Sequence, residues 1–275
     1  MYKRQRTRVI AVGSGKGGVG KSTISTNLAV GLENLGFTTG LLDADIWGFS
    51  IPRLLGIEGR LEANKDKKIV PYKRGGLEVV STGLITDDED TALMWRGLML
   101  SKALEQFLFD VEWGNLDYLV IDLPPGTGDI QMALGRLLPQ TELVVVTTPQ
   151  LSAQKVATRV ADMAKRSFIP LLGVVENMSY FESGDGNKYN IFGKGGGDEL
   201  SQKFGIPLLS KIPISEDSVE ESENGTPILL QNNKTPTKEA MQDLVNTIIK
   251  VLPPVSDETC TGRLAKVLEE LEVEA

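Results

Sequence analysis

Histidine is absent from the chain, and cysteine occurs once, at Cys260. A single cysteine excludes an intrachain disulfide framework and fits a reducing compartment. Zinc sites of the usual Cys/His type are not expected either. Long apolar runs are also missing: none approaches the roughly 18 residues that a membrane span requires. The opening MYKRQRTRVIAVGSG has too short an apolar run before its glycines to serve as a signal peptide. Positive charge is in deficit, with 29 Lys and Arg against 37 Asp and Glu and a net charge of -8. Generic binders of nucleic acid or anionic membrane need a basic face, so neither is expected as a partner. These absences lead to the expectation of a soluble, cytoplasmic protein. What is present, 41% hydrophobic residues with 29 Gly and 13 Pro over 275 residues, suits one large α/β domain with a substantial core.

Apolar, β-branched runs alternate with helical patterns along the chain. TRVIAVGS (7–14), TTGLLDAD (38–45), DYLVIDLPPG (117–126), ELVVVTTP (142–149), PLLGVVENMS (170–179) and IPLLSKIPI (206–214) have the character of strands. KIVPYKRGGLEVVSTG (68–83) suggests a strand pair turning at Arg74-Gly75-Gly76. Helical spacing marks 21–35, 96–111, 152–167 and 235–251. Runs such as LVIDL and LVVVTT lack in/out alternation, as expected of strands covered on both faces. The alternation predicts a mostly parallel twisted sheet flanked by helices. One domain is expected over residues 1–256, with an appended short C-terminal helix over 257–275.

The stretch SGKGGVGKST (14–23) satisfies G-x-x-x-x-G-K-[ST] through Gly15, Gly20, Lys21 and Ser22, between a strand and a helix. The glycines, with Val19 and Thr23, let backbone N–H groups converge on phosphate oxygens at the positive end of the helix. Lys21 would reach the β- and γ-phosphates, and the Ser22 hydroxyl would coordinate Mg²⁺. Acidic partners are expected at neighbouring strand ends. Asp122 fits a Mg²⁺-holding role, directly or through water, and Asp43 is a further metal candidate or a strand-end residue bonded to backbone. Two residues apart on an extended chain, Asp43 and Asp45 would point the same way, with Asp45 nearer the loop and better placed to orient the attacking water.

The extra lysine of GKGGVGKST, Lys16, resembles the signature lysine of the deviant Walker A ATPases of the MinD/ParA/NifH type. The resemblance implies that fold, a homodimer, and a Lys16 that crosses the interface to the partner's nucleotide phosphates, while Gly17 and Gly18 of the same loop are expected among the nucleotide-binding residues. DADIWGFS (43–50), MWRGLM (94–99), WGNLDYLVIDLPPGTGD (113–129), VVENMSYF (174–181) and IFGKGGG (191–197) resemble, in order, stretches of the Mrp/ApbC family. That family implies ATP hydrolysis with Mg²⁺ and a role as iron–sulfur cluster carrier or scaffold, with apo iron–sulfur proteins or assembly factors as partners. It also implies that Asn177 contacts adenine and that Pro213 lies near the base. On sequence grounds alone Asn177 serves equally as a strand-end turn residue.

The chain departs from the family where relatives carry a C-x-x-C pair, because Ser183 and Gly186 occupy the two cysteine positions. Neither supplies the thiolate that an iron–sulfur cluster requires. Asp185-Gly186 between β-prone runs signals a plain hairpin instead. The expectation is an ATP-switched chaperone or adaptor without a bridging cluster of its own. Phe49 and Leu98 replace family prolines, which would loosen local backbone. The competing reading is a MinD/ParA-like positioning ATPase on membrane or DNA. Against it, the tail TGRLAKVLEELEVEA lines up Leu264, Val267, Leu268 and Leu271 but carries more acidic than basic residues, the wrong sign for anionic lipid. The cluster Lys65, Lys67, Lys68, Lys73 and Arg74 suits a solvated hairpin face better than a DNA site.

Overall fold

The computed structural model describes residues 7–46, 48–85, 97–126, 128–183, 185–215 and 224–255, with backbone alone for 97–100. Eight strands form one sheet: β1 (Arg8–Ser14), β2 (Thr39–Asp43), β3 (Tyr72–Arg74), β4 (Leu77–Ser81), β5 (Tyr118–Asp122), β6 (Thr141–Thr147), β7 (Leu171–Glu176) and β10 (Leu208–Lys211). Their order is β10-β7-β6-β1-β5-β2-β4-β3, parallel except for the β3–β4 pair at the edge. A separate antiparallel hairpin joins β8 (Phe181–Glu182) to β9 (Lys188–Tyr189). The described helices are α1 (Lys21–Asn34), α2 (Ile51–Leu55), α3 (Gly97–Phe109), α4 (Gly128–Leu137), α5 (Leu151–Arg166), α6 (Gly196–Phe204) and α7 (Pro236–Val251).

The central strands are buried on both faces, which is why their sequences show no polar alternation. On β1, Ile10 and Val12 join a core with α1, α2 and α7, while Val9 and Ala11 join another with α3, α4, α5 and α6. Fully buried aliphatics such as Ile24 and Leu28 on α1 each stabilise the fold by about 1.5–3 kcal/mol. Thr235 caps α7, its side chain accepting from the Lys238 N–H, and Pro236 follows at the first helical position.

Three helices escape the sequence patterns. α2 is a single short turn, α4 follows the Pro-Pro-Gly turn with Gly128 and Gly135 inside it, and α6 starts on two glycines. Glycine-rich, short segments carry too little periodicity to mark a helix. The second expected strand also stops early, at Asp43 rather than Asp45. There the Asp43 carboxylate accepts the Asp45 N–H at 3.1 Å, a local bond that turns the chain out of the strand. The two carboxylates consequently have different partners and do not repeat along one extended face.

Behind α2, two backbones touch. Gly56 ends the helix, and a Cβ added to Gly225 would lie 2.4 Å from the Gly56 Cα. Phe49 lays its ring against Gly83. The MWRGLM stretch lies largely outside the described residues, including the Leu98 side chain, and the tail from Asp257 with Cys260 lies wholly outside them. Among the described residues no helix is long and apolar enough to cross a membrane.

Candidate active site

β1 sits mid-sheet, and its C-terminal end turns through Gly15–Gly20 into α1, so the loop lies where open parallel sheets bind ligands. Gly20 caps α1 in the left-handed region, with φ 79°. A Cβ there would stand 2.1 Å from the Asn177 amide nitrogen, so only glycine fits. The cleft above the loop measures ≈ 590 Å³ and is bounded by Lys16, Ser22, Thr23, Asp45, Arg53 and Pro124, among others.

Lys21 is 6% exposed and donates to Asp122 Oδ2 at 2.7 Å and to Ser22 Oγ at 3.2 Å. The Ser22 hydroxyl donates to the same Asp122 oxygen at 2.6 Å, and Asp45 Oδ2 stands 3.8 Å from the lysine. Register places Ser81, Asp43 and Asp122 level on β4, β2 and β5. Burial first, and the adjacent Asp122 carboxylate second, push the Asp43 carboxyl up to about 7, against the pull of Lys21 and Ser81. Its oxygens accept from Ser81 Oγ at 2.9 Å and from the Asp45 N–H. Burial also raises the Asp45 carboxyl, opposed by Lys21 and assisted by Asp122.

Lys16 is half-buried and donates to Gln150 Oε1 of its own chain at 3.1 Å, at the start of α5. Asn177 is buried at the end of β7, and its amide nitrogen donates to the Val19 carbonyl at 2.9 Å. Pro213 follows β10; its carbonyl accepts from Thr237. Its neighbour Ile212 accepts from the Ser179 N–H at 2.9 Å, which brings the Asn177 and Pro213 segments together. Three residues of the neighbourhood are not legible in the motif: Gln150, Ser81 and Ser25. Ser25 lies one helical turn beyond Lys21, and that spacing is the signal that could have found it. Ser81 and Gln150 follow only from strand pairing and helix placement.

The oxygen donors Ser22 Oγ and Asp122 Oδ2 fit a hard cation such as Mg²⁺, which takes few protein ligands and completes its shell with water and substrate phosphate. Among the described residues no group of three or more His, Cys, Asp or Glu side chains is arranged around a metal position. The β8–β9 turn, by contrast, is tied to itself. Asp185 accepts from the Ser183 hydroxyl and, at 2.6 Å, from the Asn187 amide, while the Gly186 N–H donates to the Ser183 carbonyl at 2.8 Å.

A glycine loop from strand to helix, a buried lysine on a strand-end aspartate, and a central parallel sheet define a P-loop NTPase of the MinD/ParA type. Residues 5–249 match the family model of the NUBPL iron-transfer P-loop NTPases. An iron-sulfur cluster carrier protein of Aquifex aeolicus is 46% identical over 258 residues, 92% of this chain and 71% of that one. A protein of the same name from Pseudomonas fragi is 43% identical and covers 87% of this chain and 84% of its own. A nucleotide-binding protein of Archaeoglobus fulgidus, solved with ADP, superposes with a TM-score of 0.71 at 36% identity, over 86% of this chain and 94% of that one. MinD of Pyrococcus horikoshii shares the fold, with a TM-score of 0.67 at 21% identity, over 91% and 99% of the two chains. The chain belongs to the iron-transfer P-loop NTPase family, in its Mrp/ApbC branch of iron–sulfur cluster carriers.

Proposed function

We propose that the chain is a Mg²⁺-dependent ATPase coupled to homodimerisation that serves iron–sulfur cluster assembly or transfer to apoproteins. In this reading it works as an ATP-switched chaperone or adaptor, because Ser183 and Gly186 stand where relatives have the C-x-x-C pair. One observation carries it: Lys21, Ser22 and Asp122 converge at one wall of a cleft whose rim holds a second loop lysine, Lys16. The ADP complex of the Archaeoglobus protein supports a nucleotide in the same cleft, and the carrier names of the Aquifex and Pseudomonas relatives support the client class.

Phosphoryl transfer rests mainly on positioning and charge neutralisation. Mg²⁺, when bound, would neutralise charge on the β- and γ-phosphate oxygens. Ser22 and Asp122 would hold it, with Asp43 behind them as the third acidic group of the strand ends. Lys21 would leave Asp122 for the phosphates, and Asp45, the more exposed of the strand-end carboxylates beside it, would orient water. Lys16 would exchange Gln150 for the partner's nucleotide. Asn177 and Pro213 would flank the base, Asn177 through the carbonyl oxygen that its contact with Val19 leaves over.

The test is ATP turnover per subunit against protein concentration, for the wild type and Lys16→Ala. Turnover should rise with concentration for the wild type, while Lys16→Ala should bind nucleotide yet hydrolyse it at a small fraction of that rate. Concentration-independent turnover, unchanged in Lys16→Ala, would sink the dimer coupling. Anaerobic reconstitution with iron and sulfide should leave no stoichiometric cluster on the chain; a retained one would overturn the adaptor role.

A further inference from the structure

Asp122 is held from two sides, and the sequence motif accounts for one of them. Lys21 and Ser22 both donate to Oδ2. On Oδ1 the partner is Ser25, whose hydroxyl oxygen lies 2.6 Å away. Ser25 and Asp122 are both fully buried. The same hydroxyl lies 3.0 Å from the Lys21 carbonyl one turn earlier on α1. Such a back-bond within a helix is the ordinary resting place of a serine. A hydroxyl has one hydrogen, however, and the shorter approach is to the carboxylate, at the length of a charge-assisted O–H···O⁻ bond.

The final torsion of an aspartate is broad and roughly two-fold. Rotation about it carries both oxygens, and the hold of Lys21 on Oδ2 would be given up when the lysine turns to the phosphates. A donor on Oδ1, fixed on the helix that also carries Ser22, locks the plane and keeps Oδ2 turned toward Ser22 in the cleft. We propose that Ser25 is a positioning residue for the metal-binding carboxylate: it sets the orientation of Asp122 and thereby the Mg²⁺ requirement of the site. This rests on the reading of Ser22 and Asp122 as the Mg²⁺ ligands. The loss expected on removing such a hydrogen bond behind a metal ligand is about 10–100-fold in metal affinity or activity.

The experiment measures binding of a fluorescent ATP analogue as Mg²⁺ is titrated, and in excess EDTA, for the wild type, Ser25→Ala, Ser25→Thr and Ser25→Cys, with turnover recorded alongside. In EDTA the four proteins should bind the nucleotide within about two-fold of one another, because Lys21 and the glycine loop are untouched. The half-saturating Mg²⁺ concentration should rise at least about 10-fold in Ser25→Ala, with turnover at limiting Mg²⁺ falling in step. Ser25→Thr, which keeps the hydroxyl, should restore the wild-type titration, and Ser25→Cys, a weak donor, should fall between. A wild-type Mg²⁺ titration in Ser25→Ala overturns the proposal; if that variant does not fold, the same result in Ser25→Cys overturns it. A wild type indifferent to Mg²⁺ in binding and turnover defeats the underlying metal reading instead.

Discussion

The phosphate loop and the β8–β9 hairpin are both short turns rich in glycine and polar side chains, yet they are built in opposite ways. At the loop, Lys21 and Ser22 meet an aspartate 101 and 100 positions away, and Asn177 reaches Val19 across 158. In the hairpin, Ser183, Asp185 and Asn187 bond one another within a span of five residues, with Asp185 and Asn187 exposed and Ser183 half-buried. The hairpin's root is tied to the segment after β10, through Tyr180 and Phe181 to Ile214. A buried polar cluster assembled from distant strands leaves a desolvated group unpaired when any member is lost. A self-bonded exposed turn loses only itself. The phosphate-loop end of the molecule is thus tied to distant strands, while the β8–β9 turn is held by bonds among its own residues.

The sharpest way to break the contrast is Lys21→Ala. It leaves Asp122 buried beside Asp43 without its cation, a loss of about 3–5 kcal/mol, and turnover should fall about 1000-fold; urea denaturation and an ATPase assay read both. Gly20→Ala comes next. It forces a side chain into the left-handed region, at about 1–2 kcal/mol, and against Asn177, and the displaced loop should lower turnover by up to about 100-fold. The penalty should shrink in an Asn177→Ala background, a non-additivity that a double-mutant cycle measures.

A pH series gives a smaller effect. Folding raises the Asp43 carboxyl from the ordinary 3.8 to about 7, so the folded chain holds a proton that the unfolded chain releases between those values. That contribution is complete below 3.8 and is lost as pH rises through about 7. The nucleotide-free melting temperature should carry a downward component across the window, and Asp43→Asn should remove it. The smallest effect belongs to the hairpin: Asp185→Ala should leave turnover unchanged and the melting temperature within the scatter of replicates. A large loss of either would mean that the hairpin is not the independent turn its contacts describe.

The same contrast decides what was legible in the sequence. The phosphate loop announces itself because its glycines and lysine are contiguous, and the Asp185-Gly186 turn because its contacts are local. Strands such as β1 and β6 are legible from their continuous apolar runs. Ser81 could not be found, because its place beside Asp43 depends on β4 pairing with β2, a register that neither segment encodes alone. Asp43 was readable as a strand-end residue bonded to backbone, but the periodicity of an extended strand does not say that its donor is the Asp45 N–H. Helices α4 and α6 hold their places by packing on the sheet, not by helix propensity.

The contact between Gly56 and Gly225 bears on how the cleft can move. Side chains absorb small displacements by changing rotamer, but two touching backbones have no such slack. α2, which lends Arg53 and Leu54 to the cleft wall, therefore bears directly on the segment that feeds α7. That segment returns to α1 through the Leu229 N–H and Asn27 Oδ1 at 3.0 Å, and α1 begins at the phosphate loop. The wall, the rear segment and the floor of the cleft are thus joined in a ring of direct contacts.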